Sequence, residues 1–198
     1  KYNDFKENIL IKNWTRNEVI FDIKFYTILP AFLGPPAIIT GIFVYQSFIT
    51  ESKLWGMYVL PSSFMIYSII SVISLFVSGF LVDKLTSAKI IPFLNLPLLI
   101  ALLVLVIFNN QFSAYIFMFF VGLTNGLANV LMSSLWAELY GVRFLGSIRA
   151  LSAALMVFST ALGTAVFGFL IDAGFNIERI ALICAFYTVI AIAITLIS

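Results

Sequence analysis

Histidine is absent from the 198-residue sequence, and cysteine occurs once, at Cys184. Without histidine the chain has no imidazole for a proton relay, a metal site or a Ser-His hydrolase. A single thiol forms neither an internal disulfide nor a zinc site. Charge is also scarce, with 10% of residues charged and a net charge of +2. We therefore expect no nucleic-acid partner, no catalytic residues, no metal and no cofactor.

Apolar side chains are what the sequence has in excess. Hydrophobic residues make up 62% of the chain, and 21 residues are phenylalanine. Soluble domains contain about 45–50% apolar residues, and a soluble domain of this length could not cover so much apolar surface. The sequence therefore predicts an integral membrane protein whose first partner is the lipid bilayer.

The charges fall into clusters that are separated by long charge-free runs. A bilayer core about 30 Å thick needs about 20 apolar helical residues, and the runs are continuous rather than alternating as in membrane β-barrels. The sequence therefore predicts an all-α membrane protein, with residues 1–24 as a cytoplasmic linker and residues 25–198 as a six-helix bundle. The spans are expected at residues 25–50, 54–82, 90–108, 113–137, 148–171 and 180–198.

The basic residues predict the orientation, because cytoplasmic loops are enriched in Lys and Arg. Lys53 and Arg179 fall on one side of the predicted spans. The other side, predicted to be cytoplasmic together with both chain ends, carries Lys1, Lys6, Lys12, Arg16, Lys24, Lys84, Lys89, Arg143 and Arg149.

A short helix is predicted before the first span. Thr15 and Glu18 have the spacing of a capping box, and Trp14 with Val19 has that of a hydrophobic staple. We expect a helix that starts near Arg16 and either lies at the membrane interface or extends the first span.

Polar side chains are concentrated in four of the six spans. The third and sixth spans are almost wholly apolar, so we expect them to be peripheral or lipid-facing. The first contains Gly-Pro-Pro at 34–36, which is expected to interrupt the helical hydrogen bonds. No charge is expected inside the apolar part of any span; in the fifth span the charge-free run begins at Ala150.

Polar groups from four helices at one depth are typical of a substrate cavity, although small and hydroxyl residues at steps of four also make helix-packing faces. In the second span, such a stripe consists of Ser63, Tyr67, Ser71, Ser74 and Ser78. The candidate substrate contacts are Gln46, Tyr67, Ser71, Asn125, Asn129 and Ser159.

The loop between the second and third spans, residues 79–89, reads GFLVDKLTSAK. It resembles the G-x-x-x-D-[RK]-x-G-x-[RK]-[RK] signature of major facilitator superfamily transporters, with departures at Thr86, where glycine is usual, and at Ala88, where a basic residue is usual. Residues 136–149 resemble the loop between the fourth and fifth spans of such a transporter half. Residues 14–19 and the following Gly-Pro-Pro span resemble the start of the second half in relatives of oxalate/formate and monocarboxylate porters.

The resemblance implies two six-helix halves that rock around a central site, each built from two inverted three-helix repeats. This chain would be the carboxy-terminal half, and its partner would be a missing amino-terminal half. The absence of a signal peptide after Lys1 and of a polar tail at Ser198 fits a fragment. The implied function is transport of a small organic anion across the plasma (inner) membrane by alternating access. A non-transporting scaffold or assembly protein is the alternative.

The resemblance also implies a cytoplasmic gate. Asp83 is expected to accept hydrogen bonds from the amino terminus of a neighbouring helix, and Glu138 to pair with a nearby Lys or Arg. The gating candidates are Gly79, Asp83, Lys84, Lys89, Glu138, Arg143 and Arg149.

Overall fold

The computed structural model describes residues 12–197, and all regular structure in that part of the chain is helical. The predicted linker residues 1–11 and Ser198 lie outside the described residues. The helices are α1 (Arg16–Ile20), α2 (Ile23–Val44), α3 (Gln46–Ser52), α4 (Val59–Leu85), α5 (Ser87–Ile90), α6 (Leu96–Ile107), α7 (Phe112–Tyr140), α8 (Leu145–Asp172) and α9 (Ile177–Ile197), with a 3₁₀ turn at Ile91–Phe93.

Six helical segments are long and apolar enough to cross a membrane, as the sequence predicts. Five are the single helices α2, α4, α7, α8 and α9, and the third span (Ser87–Ile107) combines α5, the 3₁₀ turn and α6. The first span is shorter than predicted because the helix ends at Val44, and Tyr45 separates it from α3. The all-α membrane fold is confirmed.

The predicted capping box is present at α1. The Thr15 amide donates to Glu18 Oε2 at 2.8 Å, and the Glu18 amide donates to Thr15 Oγ1 at 3.5 Å. The Thr15 amide and the nearby Lys12 ammonium lower the pKa of Glu18 to about 2. Val19 is buried, and the Trp14 amide donates to the Tyr140 carbonyl at 3.0 Å. The segment before the first span is therefore packed against the end of α7.

Helix α2 continues through Pro35 and Pro36, where an interruption was expected. Pro35 has no N–H, so it cannot donate to the Ala31 carbonyl one turn earlier. Asn95, from the start of α6, fills that position with a bond from its Nδ2 to the Ala31 carbonyl at 3.2 Å. A side chain from another helix thus replaces a bond that proline removes.

Two further carbonyls of α2 receive hydrogen bonds from neighbouring helices. Tyr187 of α9 donates to the Pro30 carbonyl at 2.9 Å, and Ser159 of α8 donates to the Leu33 carbonyl at 2.7 Å. We call Asn95, Ser159 and Tyr187 the α2 clamp. Through the clamp, three helices contact the same turn of α2.

The principal helix contacts follow an exchange symmetry. Helix α4 packs on α7, and α8 packs on α2; the third span packs on α7, and α9 packs on α2. These contacts are unchanged when the first, second and third spans are exchanged for the fourth, fifth and sixth. Residues further along α4 contact residues further along α7, so these two helices run parallel. The contacts between α8 and α2 advance together in the same way, so these helices are also parallel. The two three-helix groups therefore run in opposite directions.

Burial differs sharply among the spans. Helices α4 and α8 have only 11% and 6% of their most apolar stretch buried in the protein, whereas the third and sixth spans have 39% and α2 has 56%. The third and sixth spans pack on each other as well as on α7 and α2, so within the described chain they are more buried than α4 and α8. The open surface of the bundle belongs to α4 and α8.

Candidate functional site

The small residues of α4 and α7 form a close helix contact. A Cβ atom on Gly122 would lie 2.8 Å from the Tyr67 carbonyl oxygen, and one on Gly126 would lie 2.6 Å from the Ser71 carbonyl oxygen. Ser74 crosses the contact and donates to the Leu123 carbonyl at 2.8 Å. Most of the serine stripe on α4 therefore packs against α7 rather than facing a cavity.

A chain of hydrogen bonds runs from α4 along α7 to α8. Asn125 Nδ2 donates to Ser71 Oγ at 2.8 Å, and Asn129 Nδ2 donates to the Asn125 carbonyl at 2.8 Å. Ser133 Oγ donates to the Asn129 carbonyl at 3.2 Å and accepts from Arg149 Nη2 at 3.0 Å. We call Ser71, Asn125, Asn129, Ser133 and Arg149 the polar track. Asn129 and Arg149 are exposed, and the other three side chains are half-buried.

Arg149 was expected at the cytoplasmic edge of the fifth span, as a gating residue. Helix α8 begins at Leu145, however, so Arg149 lies in its second turn and within the fifth span. The sequence contained a signal for this position, because Arg149 precedes Ser152 and Ser159 by three and ten residues and shares their helix face. Arg149 is therefore part of the helix and not of the loop that precedes it.

The other predicted substrate contacts lie apart from the polar track. Tyr67 is half-buried and packs its ring edge-to-face against Phe43, with 5.3 Å between ring centroids. Ser159 is engaged in the α2 clamp. Gln46 begins α3, at the opposite end of the bundle from α1. The structure thus brings together Ser71, Asn125 and Asn129 of the six candidates.

A groove of about 730 Å³ opens at the end of the bundle that carries α3. Gln46 is the one predicted substrate contact that lines it, and Glu51 is the one charged residue in its lining. Its walls are Gln46, Ser47, Thr50, Glu51, Leu54, Trp55, Met57, Leu60 and Pro61. The groove is therefore not the expected mid-membrane cavity between four helices.

Glu138 binds the start of α5, and this differs from the expected pairing with a Lys or Arg. Its carboxylate accepts from the Ser87 amide at 2.9 Å, from Ser87 Oγ at 2.9 Å and from the Ala88 amide at 3.3 Å. The role expected of Asp83, accepting hydrogen bonds at a helix amino terminus, is thus performed by Glu138. Asp83 is exposed and has no partner within residues 12–197.

Thr86 adopts a positive φ of 68° with ψ of 147° between α4 and α5. That region is populated almost only by glycine. The transporter signature that residues 79–89 resemble has glycine at this position. The backbone of Thr86 adopts the conformation that glycine favours.

The remaining gating candidates make few contacts with the other described residues. Lys84 Nζ lies 4.2 Å from the centroid of the Phe80 ring, and the Arg143 amide donates to Asn13 Oδ1 at 3.2 Å. Lys89 is exposed, and a Cβ on Gly79 would meet no atom within 4 Å.

A buried lysine at the α3 end was missed by the sequence analysis. The Lys53 side chain is 0% exposed, and its ammonium lies 2.7 Å from Glu178 Oε1 and 2.6 Å from Asn109 Oδ1. Trp55 Nε1 donates to the Asn109 carbonyl at 3.0 Å. We call Lys53, Asn109 and Glu178 the Lys53 staple; it joins the α3–α4 connection, the α6–α7 connection and α9. The sequence alone did not predict this pairing, because the three residues lie far apart in the chain.

Metal ligands are not clustered in the described part of the chain, where no three Cys, Asp or Glu side chains come together. The polar track offers neutral hydrogen-bonding groups and one guanidinium, that of Arg149, on an open helical face.

Comparisons of the chain with protein-family models, with curated proteins and with solved structures found no match in any of the three.

Proposed function

We propose that the chain is one six-helix half of a secondary transporter, which moves a small solute by alternating access and uses the polar track as part of the solute pathway. The exposed amide of Asn129 carries the proposal. Asn129 lies three residues past the midpoint of α7, about 5 Å along the helix axis, and therefore within the hydrocarbon depth of a bilayer if α7 is centred in it. One N–H of the amide bonds the Asn125 carbonyl. Acyl chains cannot satisfy the other N–H or the amide oxygen, so water, a solute or protein must face them.

The packing supports a second six-helix unit as the covering partner. Helix α7, which carries most of the polar track, contacts α4 on one side and α8 on the other, and both of those helices are largely unburied. A second unit packed on α4 and α8 would enclose the track between the two units. The partner proposed here is the missing amino-terminal half of the same chain. The basic residues favour an orientation with the α1 end in the cytoplasm, and the membrane proposed is the plasma (inner) membrane.

Water access to Asn129 is the first test, and it needs no knowledge of the solute. Asn129→Cys in native membranes should react with a membrane-impermeant maleimide, because the proposed pathway is hydrated. Ile190→Cys, an exposed apolar position of α9, is the matched control and should stay unlabelled. The native Cys184 is buried, which keeps background labelling low. If the cysteine of Asn129→Cys were as unreactive toward the maleimide as that of Ile190→Cys, the hydrated pathway would be contradicted.

Uptake by proteoliposomes that contain the complete protein is the second test, with a panel of labelled small carboxylates and neutral solutes. Asn129→Leu should reduce uptake about fivefold or more, because a hydrogen bond worth about 1 kcal/mol is lost. Ser68→Leu is the control, since Ser68 is exposed on α4 and its hydroxyl bonds within its own helix. Unchanged uptake in Asn129→Leu would remove the polar track from the pathway.

A non-transporting scaffold is the second candidate, and the close α4–α7 contact favours it. Gly122, Gly126 and Ser74 account for much of the small-residue pattern without any solute. A scaffold would show neither solute uptake nor maleimide labelling at position 129, so the same two experiments separate the candidates.

A further inference from the structure

The groove at the α3 end of the bundle has two walls of different chemistry. One wall consists of polar side chains of α3, namely Gln46, Ser47, Thr50 and Glu51. Their spacing along the helix places them on one face of α3. The other wall is apolar and comes from the α3–α4 connection and the start of α4, with Leu54, Trp55, Met57, Leu60 and Pro61. The groove therefore fits a molecule that has a polar end and an apolar body.

The polar wall carries an unpaired negative charge. Glu51 is exposed, and its carboxylate makes no ion pair or hydrogen bond with any residue between 12 and 197. The neighbouring cation does not neutralise it, because the Lys53 ammonium is buried and lies 2.7 Å from Glu178 Oε1. Glu51 also lies in the last turn of α3, and the carboxyl end of a helix favours cations. A positively charged group is therefore the complement of this wall.

The apolar wall combines a fixed indole with exposed side chains. Trp55 is buried, and its Nε1 donates to the Asn109 carbonyl at 3.0 Å. Leu54 adopts a positive φ of 53°, which is uncommon for residues other than glycine, and its side chain is 88% exposed. Met57 is 78% exposed. The α3–α4 connection thus presents apolar surface beside the carboxylate of Glu51, where the body of an amphiphilic ligand could be buried.

We propose that the groove binds a small organic cation, a protonated amine with an apolar body, whose ammonium group pairs with Glu51 and whose body packs on the apolar wall. The groove volume of about 730 Å³ lies within the range of about 300–1,000 Å³ that is typical of small-molecule sites. An indole such as that of Trp55 attracts cations as well as apolar groups, and the Gln46 amide oxygen can accept a hydrogen bond from an ammonium group. The groove lies outside the polar track, so this site does not depend on the proposed transport function.

Protection of a cysteine in the groove tests the proposal. Met57→Cys in the complete protein is labelled with a maleimide in nanodiscs, where both faces are accessible, at increasing concentrations of benzylammonium. The cation should slow labelling in a saturable way, whereas Tyr58→Cys, an exposed neighbour outside the groove lining, should be labelled at an unchanged rate. Benzyl alcohol and benzoate carry the same ring with a neutral or a negative end. They should need concentrations about fivefold higher or more for the same protection.

Charge substitutions in the Met57→Cys protein test the role of the carboxylate. Glu51→Gln should raise the benzylammonium concentration for half-maximal protection about fivefold. Glu51→Asp keeps the charge and should retain part of the affinity. Asp172→Asn is the matched control, because Asp172 is an exposed acid at the end of α8, on the same side of the bundle and outside the groove. It should leave protection by benzylammonium unchanged.

The proposal is overturned if benzylammonium does not protect Met57→Cys, or if benzyl alcohol or benzoate protects it as well as the cation does. An unchanged affinity in Glu51→Gln would likewise remove the carboxylate from the site. The labelling rate of each variant without ligand shows whether the groove has kept its shape. Where that rate changes in Glu51→Gln, Glu51→Asp decides the outcome, since a loss of protection equal to that of Glu51→Gln would contradict pairing with the charge.

Discussion

At the scale of the residue, Thr86 is the clearest departure from a relaxed backbone. Its φ of 68° and ψ of 147° place a side chain in a region that costs about 1–3 kcal/mol for residues other than glycine. Its side chain makes no capping bond to α5, so nothing in that contact offsets the cost.

Thr86→Gly is therefore expected to stabilise the protein by about 1–3 kcal/mol and to raise the melting temperature by several degrees. Thermal unfolding in detergent measures the change. Thr86→Ala is the control, because alanine keeps a Cβ in the same backbone conformation and should give little gain. Equal stabilisation by alanine and glycine would mean that the side chain of threonine, not the backbone, was the source.

Residue roles that depend on local spacing were predictable. The capping box at Thr15 and Glu18 is confirmed, because its two bonds join residues three apart in the sequence. The partners of Glu138 and Asn95 were not predictable, since Ser87 and Ala31 meet them only after whole helices pack. Sequence periodicity shows which face a side chain occupies but not which neighbouring carbonyl or amide it reaches.

At the scale of the element, the contact between α4 and α7 depends on glycine. The Cβ of alanine at position 126 would lie 2.6 Å from the Ser71 carbonyl oxygen and 2.7 Å from the Leu75 nitrogen. Both atoms belong to the backbone of α4, so the two helices would have to separate. The same separation would stretch the bond from Asn125 to Ser71.

Gly126→Ala is expected to destabilise the protein by about 1–3 kcal/mol through overpacking. Gly146→Ala in α8 is the control: a Cβ there meets no atom within 4 Å, and alanine should stabilise a helix by about 0.5–1 kcal/mol. Chemical or thermal unfolding of the two variants should move in opposite directions. A neutral Gly126→Ala would show that α4 and α7 are packed more loosely than described.

The six spans were predictable at this scale, and their neighbours were not. Long charge-free runs fix where a helix can cross a membrane, and the six segments follow them closely. The third and sixth spans were expected to be peripheral because they carry few polar groups. Apolar side chains pack on protein as readily as on lipid, so polarity alone did not predict that α4 and α8 are the least buried spans within the described chain.

At the scale of the whole molecule, the Lys53 staple holds together the connections at one end of the bundle. Its ammonium is fully buried, whereas the Glu178 side chain keeps 30% of its exposure. A buried charge that loses its partner reduces the free energy of unfolding more than an exposed charge does, because water can solvate only the exposed charge.

Glu178→Ala is therefore expected to destabilise the protein by about 3–5 kcal/mol, and Lys53→Met by less, because Met leaves no buried charge behind. Arg179→Ala, the adjacent exposed residue, should change stability by no more than about 0.5 kcal/mol. Thermal unfolding of the three variants checks the order. A greater loss in Lys53→Met than in Glu178→Ala would contradict the burial of the ammonium.

The exchange symmetry of the contacts has a consequence for biogenesis. Of the six spans described, α2 is translated first, yet its main neighbours, α8 and α9, are translated last. Until they emerge, the Pro30 and Leu33 carbonyls lack the donors supplied by Tyr187 and Ser159. Membrane insertion of the first span must therefore precede its final packing, and a ribosome that stalls before α8 leaves a nascent chain whose first helix has not met its partners.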